Sequence, residues 1–468
     1  MNSSPGDATS RPATVSPGYL VLASSVGTII EWYDFFLYGS LAIVFSRLFY
    51  PGHDPVAAML VSVTAFATGF AVRPIGAVIF GHIGDRLGRK TTFLITLILM
   101  GISTAAIGLL PTFATAGYLA PVLLVLLRLI QGVALGGEYG GANSYVAEHA
   151  PDRARGRWTS YIQTMASGGF LLSLVVVIAC RLGMGQDAFE RWGWRIPFLL
   201  STILVVVSVR IRLSLAESPV FLRLREAGQL ARLPARDAFA DPANRRRILL
   251  FLFGVSCAQA TSFYTAHFYA LYYVESILKV DFLTATLAVA AGVAIGSPFF
   301  VLFGTLSDRI GRKPLCLGGM AAALLLYIPL FMAIRSAVGP SGVDSIRIAL
   351  SVFTAVVISA AIYGPYGAFI VEMFPSRVRY TSISIPYHIG NGIFGGFLPM
   401  VSLALVTRTG NPYAGLLYPM AFCAVGFVIT LFFLPETSRR SLSELDAASP
   451  PWAPLAPPFA PAGGTPLI

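Results

Sequence analysis

The chain has 468 residues, of which 56% are hydrophobic and only 12% are charged. Because a soluble globular domain carries about 25% charged residues, this composition excludes a soluble protein and indicates an integral membrane protein. The formal net charge of +11 is interpreted as loop charge that sets membrane orientation, not as a nucleic-acid-binding surface.

Twelve apolar segments are predicted, each long enough to cross a bilayer as a helix, which satisfies its own backbone hydrogen bonds in lipid. The predicted fold class is therefore all-α, with twelve transmembrane helices. The segments cover roughly residues 19–49, 56–82, 91–111, 118–147, 157–182, 194–213, 247–276, 282–306, 314–335, 346–372, 381–406 and 413–434.

The longest polar interval, residues 214–246, divides the segments into two six-helix bundles, 19–213 and 247–438. Residues 1–18 and the Pro/Ala-rich residues 439–468 are predicted tails, the latter disordered. No cleaved signal peptide is expected. Arg and Lys concentrate in alternate loops, which predicts that these loops, the central interval and both termini are cytoplasmic.

The first segment contains two carboxylates, Glu31 and Asp34. A carboxylate in the middle of a membrane helix costs about 2.5–3.5 kcal/mol on insertion scales, so both are expected to face a protein or water interior. Tyr38 lies four residues beyond Asp34 on the same helix face. We interpret this face as lining a path for a solute, with Asp34 as the first choice for a proton site, Glu31 as its alternative and Tyr38 as a substrate contact.

An internal repeat links the two halves. GHIGDRLGRK at 81–90 matches GTLSDRIGRK at 304–313, and Glu148, Pro151, Arg153 and Arg155 recur as Glu372, Pro375, Arg377 and Arg379. Six segments per half give both repeats the same orientation, so a substrate site is expected between the halves near the membrane midplane. The loop motif is predicted to gate the cytoplasmic side, or else to be a topology signal with surface ion pairs. The gating candidates are Gly81, Asp85, Arg86, Arg89, Gly304, Asp308, Arg309 and Arg312.

The fourth segment carries a second group of buried polar residues. Arg128, Gln131 and Glu138 share one helix face, but Arg128 and Glu138 are about 15 Å apart along the axis and need other partners. Glu31 and Asp34 of the first segment can supply one. One interpretation of Arg128 is therefore a structural ion pair between these two helices. Gln131 is a candidate substrate contact, and Glu138 is a proton site or an anchor for the helix end.

Other polar residues have two interpretations each. Arg73 precedes a proline and is expected to bond to the backbone carbonyl which that proline frees. In the second half, six residues are able to bind a solute or to be hydrogen-bonded interior residues, with His267 also suited to proton exchange. These candidates are Gln259, Tyr264, His267, Tyr363, His388 and Asn391.

The repeated loop motif, with Arg128-Leu-Ile-Gln131-Gly132, resembles the major facilitator superfamily over roughly residues 20–438. The runs Glu31-Trp32-Tyr33-Asp34-Phe35, Arg73-Pro74-Ile75-Gly76, Gly136-Gly137-Glu138 and Trp192-Gly193-Trp194-Arg195-Ile196-Pro197-Phe198 resemble its metabolite:proton symporter branch. In that superfamily an Arg followed four residues later by Gly in this helix is linked to proton coupling, which the resemblance carries to Arg128 and Gly132.

The resemblance implies a secondary transporter that alternates access by rocking its two halves. The expected function is symport of protons with a small organic acid, such as shikimate or 2-oxoglutarate. In the expected coupling, Arg128 pairs with Asp34 or Glu31 when that carboxylate is unprotonated. The alternatives are symport of a zwitterionic osmolyte such as proline or betaine, or a uniporter or proton-antiport exporter. A transport-dead sensor is disfavoured because the central interval is short.

No enzyme activity is expected, because the sequence contains no nucleotide loop, metalloprotease motif or nucleophile elbow. The four cysteines are single and lack metal-ligand or disulfide spacing, so we expect no cofactor and no metal. The expected partners are the solute, protons and lipid, without nucleic acid, for a monomer in a bacterial inner membrane.

Overall fold

The computed structural model describes residues 17–51, 55–213, 219–227, 234–340 and 342–447. Most of both predicted tails and parts of the predicted central interval lie outside these residues. Within them the chain is almost entirely helical, which confirms the all-α fold class. The exception is a hairpin of two short antiparallel strands, Val338–Gly339 and Gly342–Val343.

Nine helices of the described residues are long and apolar enough to cross a membrane singly. Two further crossings are bent pairs, Gly27–Ser40 with Ala42–Phe49 at 58° and Gln186–Gly193 with Arg195–Ile211 at 60°. The pair Pro55–Ala71 and Arg73–Leu87 supplies the second crossing, so the path of the chain matches the predicted twelve helices.

The helices of the first six crossings, here called the first half, are Pro17–Ser40 with Ala42–Phe49, Pro55–Ala71 with Arg73–Leu87, Arg89–Gly108, Leu119–Gly136 with Tyr139–His149, Arg155–Met184, and Phe189–Gly193 with Arg195–Leu213. The short helices Phe113–Ala116, Asp152–Ala154 and Gln186–Ala188 lie in its connections. The helices Pro219–Glu226 and Pro234–Ala240 lie between the halves.

The second half begins with Pro242–Phe251, which continues through Leu252–Ser256, Cys257–Tyr264, Thr265–Tyr269, Ala270–Tyr272 and Tyr273–Ile277. The later crossings are Phe282–Gly296 with Pro298–Ile310, Arg312–Ser336, Ser345–Tyr363 with Tyr366–Met373, Arg379–Ile389 with Gly390–Gly395 and Leu398–Thr409, and Leu417–Phe433. The short helices Ser376–Val378, Ala414–Leu416 and Leu442–Ala447 complete the described chain.

The fourth and tenth crossings are broken at similar places, at Gly137–Glu138 and at Gly364–Pro365. Glycine and proline both weaken a helix interior, glycine through backbone entropy and proline through its missing N–H. At the first break the carbonyl of Gly137 accepts a hydrogen bond from the hydroxyl of Tyr380 in the eleventh crossing. The break therefore joins the two halves.

The seventh and eleventh crossings contain π-helical turns, at Leu252–Ser256, Thr265–Tyr269, Tyr273–Ile277 and Gly390–Gly395. A π turn bonds residue i to i+5 and is common at functional sites. Because it changes the angular spacing of side chains, residues that a regular α-helix would place on one face point to different neighbours.

The two halves meet along two seams. The second crossing packs on the eleventh, and the fifth packs on the eighth. On the side of the membrane that holds the repeated motif, here called the motif side, Gly304 lies against Ser160. On the opposite side the Tyr272 hydroxyl donates to the Gly39 carbonyl at 2.9 Å, and the rings of Phe36 and Phe268 are 4.8 Å apart. Contacts between the halves thus bridge both sides.

Candidate functional site

A small closed cavity lies between the halves. Its volume is about 10 Å³, which is room for roughly one water molecule. Helices of the first half supply most of its wall, and the eleventh crossing supplies the rest. The lining residues are Thr28, Glu31, Trp32, Arg73, Leu135, Glu138, Tyr139, Ala142, Ile162, Tyr387 and His388. Of the predicted site residues, the structure thus brings Glu31, Glu138 and His388 together.

Arg73 is a fully buried cation in this cavity wall. Its guanidinium carbon lies 5.2, 4.3 and 4.2 Å from the ring centroids of Trp32, Phe35 and Phe70. None of its three nitrogens has a hydrogen-bond acceptor among the described residues, so the expected bond to a freed carbonyl is wrong. Cation–π contacts contribute about 0.5–2 kcal/mol each, while burying an ion costs several kcal/mol, so the charge is only partly compensated.

Two carboxylates share the cavity with this cation. Glu31 is 1% exposed and Glu138 is 4% exposed. Glu138 precedes the helix Tyr139–His149 directly, at the break of the fourth crossing, so the break turns its side chain into the cavity wall. The site therefore holds both signs of charge inside largely apolar and aromatic surroundings.

Tyrosines cover the motif side of the cavity. The rings of Tyr139 and Tyr387, from opposite halves, stack with centroids 3.3 Å apart and an angle of 5°. The hydroxyls of Tyr363 and Tyr387 are 2.9 Å apart, so the predicted substrate contact Tyr363 supports the stack and does not itself line the cavity. This stack must separate before a solute can pass between the cavity and the motif side.

His388 differs from the other predicted polar residues of the second half. It is 1% exposed and lines the cavity, and neither ring nitrogen bonds to a described residue. By contrast, His267 contacts the Ser167 hydroxyl at 3.0 Å and the Phe263 carbonyl at 2.9 Å. The structure therefore supports the interpretation of His267 as a hydrogen-bonded interior residue that joins the halves.

The remaining second-half candidates lie near the cavity but not in its wall. The Asn391 amide donates to the Gln259 amide oxygen at 3.0 Å, so these two residues bind each other. Tyr264 packs edge-on against Phe70 of the first half, with ring centroids 5.3 Å apart. Its hydroxyl has no hydrogen-bond partner among the described residues.

Asp34 lies inside the first half and does not line the cavity. It is fully buried beside the hydroxyls of Thr104 and Ser201. Arg128 instead donates to the Gln131 side chain at 2.6 Å, and Gln131 donates to Thr104 at 2.7 Å. The expected ion pair between Asp34 and Arg128 is not formed in this closed state. Asp34 lies beside the Thr104 hydroxyl, and Arg128 reaches the same hydroxyl through Gln131.

Tyr38 and Gln131 also belong to this interior cluster. The Tyr38 hydroxyl donates to the Ser62 carbonyl at 3.1 Å, and its ring lies 4.8 Å from the Arg128 guanidinium. Both polar ends of the Gln131 amide are engaged by Arg128 and Thr104. The structure therefore does not bring Tyr38 or Gln131 to the cavity as substrate contacts.

The repeated motif forms two related contacts between the halves, here called the first and second latch. In the first latch, Asp85 accepts hydrogen bonds from the Thr381 hydroxyl at 2.8 Å and the Thr381 amide at 3.3 Å. Gly81 leaves room for this approach, because an added Cβ would lie 3.2 Å from the Thr381 hydroxyl. Arg379 donates to Glu148 at 3.2 Å across the same seam.

The second latch repeats this arrangement with the halves exchanged. Asp308 accepts from the backbone amides of Gly156 at 2.8 Å and Arg157 at 2.9 Å. Buried Glu372 binds Arg155 of the first half at 2.5 Å and Arg312 of its own half at 3.1 Å. Each aspartate therefore docks at the start of a helix in the opposite half, where unpaired amides and the helix dipole favour a negative charge.

Two predicted gating residues, Arg86 and Arg309, are exposed to solvent and make none of these contacts among the described residues. A third, Arg89, has a side chain that lies outside the described part of the chain. Glu436, which follows the twelfth crossing, instead reinforces the second latch. It accepts from the amides of Arg312 and Lys313, at 3.0 Å each. Burial alone would raise the pKa of Glu436, but backbone hydrogen bonds from Arg312, Ser438 and Lys313 hold that pKa below its usual range.

Comparison with known families agrees with this architecture. A family model described as "Sugar (and other) transporter" matches residues 20–246 and, separately, residues 227–448. The chain belongs to this family of the major facilitator superfamily. Its two halves, its repeated loop motif and its inter-half cavity are thus parts of a multi-pass membrane transporter.

This major facilitator protein has curated relatives along nearly its whole length. It is 34% identical over 437 residues to the inner membrane metabolite transport protein YhjE of Escherichia coli (strain K12), which covers 90% of this chain and 95% of that protein. It is 33% identical over 430 residues to the glycine betaine/proline/ectoine/pipecolic acid transporter OusA of Dickeya dadantii (strain 3937), covering 90% and 84%.

Solved structures show the same fold. The proton:xylose symporter XylE bound to 6-bromo-6-deoxy-D-glucose superposes with a TM-score of 0.71 at 20% identity, covering 92% of this chain and 98% of that one. The inward open conformation of XylE from E. coli gives a lower TM-score of 0.63.

Sequence reasoning did not assign a functional role to several residues that the structure places in the site or latches. Arg73 was the clearest signal, because an arginine inside a membrane crossing is expensive unless it has a task. The internal repeat shows that two Glu and two Arg positions correspond between the halves, but it does not predict that they pair across the seam. These residues are Glu148, Glu372, Arg155 and Arg379. The remaining ones, Trp32, Tyr139 and Tyr387, are aromatic residues whose position depends on how the helices pack.

Proposed function

We propose that this protein is a proton-coupled transporter of a small zwitterionic solute of the betaine or proline class. The relatives do not support the small organic acid expected from the sequence, and they favour its alternative. The observation that carries the proposal is the pair of carboxylates, Glu31 and Glu138, beside the indole of Trp32 in the closed cavity. A substituted ammonium group suits such a wall, since carboxylates and aromatic faces both attract cations.

An organic dianion fits this wall poorly. It would bring two negative charges to a wall that holds Glu31 and Glu138 as well as Arg73. Arg73 could neutralise one of the two charges, and the other would repel the carboxylates strongly in a space from which water is largely excluded. A zwitterion brings a cation to the carboxylates and has no net charge. Its transfer into a closed cavity therefore costs less than that of a dianion.

Alternating access follows from the contacts between the halves. The latches and the Tyr139–Tyr387 stack close the motif side, and the Tyr272–Gly39 contact with the Phe36–Phe268 pair closes the opposite side. Loss of one set with retention of the other would open the cavity to one side only. We place the motif side in the cytoplasm of a bacterial cell, with the protein in the inner membrane, because the motif loops carry the excess of basic residues.

Asp34 is proposed as the proton-coupling residue. Its carboxyl is fully buried, and neither oxygen has a hydrogen-bond partner among the described residues. A buried ionised carboxylate without a paired cation is strongly unfavourable, so the neutral acid is the form that suits this closed state. Deprotonation would then favour a rearrangement that brings a cation or water to Asp34. Arg128 is a candidate cation, because Gln131 joins it to Thr104, which lies beside Asp34.

Uptake by purified protein in proteoliposomes tests this function. An inward proton gradient is expected to drive accumulation of radiolabelled glycine betaine or proline, and a protonophore is expected to abolish that accumulation. Asp34→Asn is expected to retain solute exchange at equal concentrations and to lose uphill accumulation. Uptake of 2-oxoglutarate or shikimate without betaine or proline uptake would overturn the substrate proposal. Accumulation that persists after the gradient is collapsed would overturn proton coupling.

A further inference from the structure

Arg73 has a second property that the proposed function does not require. It is a fully buried cation in the cavity wall, and its three nitrogens have no described acceptor. We propose that Arg73 binds the carboxylate of the transported solute and thereby selects carboxylated solutes over simple cations. This inference rests on the proposed zwitterionic substrate.

Among the residues that the structure describes, no anion lies within hydrogen-bonding distance of Arg73. Its polar neighbours across the seam include the hydroxyls of Tyr264 and Tyr387. Each can accept only a weak, neutral hydrogen bond. A carboxylate is a much better match for a guanidinium, because two parallel N–H donors meet two oxygens in a charge-assisted bidentate pair.

The aromatic contacts orient the guanidinium without using its donors. Trp32, Phe35 and Phe70 hold it within 4.2–5.2 Å of their ring centroids. Cation–π attraction acts on the charge of the group as a whole, whereas its hydrogen bonds lie in the guanidinium plane, so the two interactions are compatible. The rings thus restrict the group and leave its N–H edges free for an anion.

The backbone also places Arg73 where a ligand can act. Arg73 begins the second helix of the second crossing, directly after the break at Val72 and before Pro74. An added Cβ on Gly392 of the opposite half would lie 3.6 Å from the Arg73 Cβ, so Arg73 lies on the seam between the halves. His388 of that half, whose ring nitrogens have no described partner, lines the same cavity and can donate to a second carboxylate lone pair.

The closed cavity of about 10 Å³ has to widen to admit the solute, and its wall residues then supply the two ends of a zwitterion receptor. In this assignment Glu31 and Glu138 pair with the ammonium group, and Arg73 with His388 binds the carboxylate. A simple cation of the same size gains only the first set of contacts and leaves the Arg73 charge uncompensated. A bidentate charge-assisted pair corresponds to about a 10- to 100-fold difference in affinity.

Calorimetric binding to the full chain in nanodiscs tests the assignment. Glycine betaine is compared with choline, which has the same trimethylammonium group but a hydroxyl in place of the carboxylate, and with betaine methyl ester. The unaltered protein is expected to bind betaine about 10- to 100-fold more tightly than either analogue. Arg73→Gln is expected to reduce this ratio to near one, mainly by weakening betaine. Arg347→Gln, an exposed arginine on the far side of the second half, is expected to leave the ratio unchanged.

The outcomes separate the two proposals. If the unaltered protein binds neither betaine nor proline, the proposed function fails and this inference fails with it. If betaine binds but Arg73→Gln keeps the full preference for betaine, the function stands and the Arg73 assignment is overturned. If the variant does not fold, the ester comparison on the unaltered protein decides, because equal affinity for betaine and its ester would exclude carboxylate recognition.

Discussion

Glu372 of the second latch offers the sharpest test of how the motif side closes. It accepts hydrogen bonds from Arg155 of the opposite half at 2.5 Å, from Arg312 of its own half at 3.1 Å and from the Thr437 hydroxyl at 2.5 Å. Only the Arg155 bond crosses the seam. Glu372→Gln keeps the shape of the side chain but removes the negative charge that attracts Arg155.

The size of the effect follows from that single bond. A hydrogen bond to a charged group contributes about 1.5–3 kcal/mol, and breaking a buried ion pair costs about 3–5 kcal/mol at most. Loss of about 1.5–3 kcal/mol from the closed state would shift the equilibrium toward an open motif side by about 10- to 100-fold.

Distances between spin labels on the two halves measure this shift. Labels at the exposed positions Arg153 and Arg309 are expected to show a longer distance population in Glu372→Gln. Asp344→Asn is the matched control, since the Asp344–Arg347 pair is about half exposed and lies within one half, where such pairs contribute little. An unchanged distance distribution in a variant of unchanged thermal stability would refute the ionic latch.

Further predictions concern the seam, the aromatic stack and the loop after the last crossing. Gly392→Ala would place a Cβ 2.5 Å from the Phe70 carbonyl and is expected to destabilise the closed state by about 1–3 kcal/mol. Gly318→Ala, with nothing within 4 Å, should leave the spin-label distances unchanged and should not lower thermal stability, because alanine is the better helix former. Tyr387→Phe should keep the motif side closed because the ring stack with Tyr139 remains, whereas Tyr387→Ala should increase access of a thiol reagent to a cysteine placed at His388. Equal access in both variants would exclude the stack as a barrier. Because the pKa of Glu436 is lowered in the folded protein, its carboxylate stabilises the fold fully above the unfolded-state pKa of about 4.3, and this contribution is lost as pH falls below that value. Glu436→Gln should therefore lower the free energy of unfolding by about 1 kcal/mol at neutral pH, a small value for a hydrogen-bonded charge because the group is partly exposed. The melting temperatures of the two proteins should converge toward pH 3. A difference that stays constant with pH would argue against this charge effect.

Much of the architecture could be predicted from the sequence, because lipid imposes long apolar helices and the repeat imposes parallel halves. The predicted segment 381–406 corresponds to helices between Arg379 and Thr409. The predicted gating residues Asp85 and Asp308 lie on the inter-half seam. Both features depend on local composition and spacing, which a sequence shows directly.

The partners of buried polar residues were harder to predict. Gln259 and His267 are eight residues apart and would share a face of a regular α-helix, but the π-helical turn Thr265–Tyr269 intervenes. Gln259 consequently contacts Asn391, and His267 contacts Ser167. Likewise, the cost of burying Asp34 shows that it needs a polar environment, but the sequence does not show that Thr104 and Ser201 supply it.

The latches differ from ordinary salt bridges in what the opposite half contributes. Asp85 and Asp308 dock partly or wholly on backbone amides, those of Thr381, Gly156 and Arg157, and every residue type except proline carries such an amide. The receiving positions can therefore change their side chains over evolution without losing the contact, while the aspartates cannot be replaced. When two side chains form a salt bridge, exchanging the acidic and the basic residue can restore it. No such exchange is available at a helix start, because its backbone amides can only donate hydrogen bonds. Compensating changes for a lost latch aspartate should thus arise elsewhere in the chain.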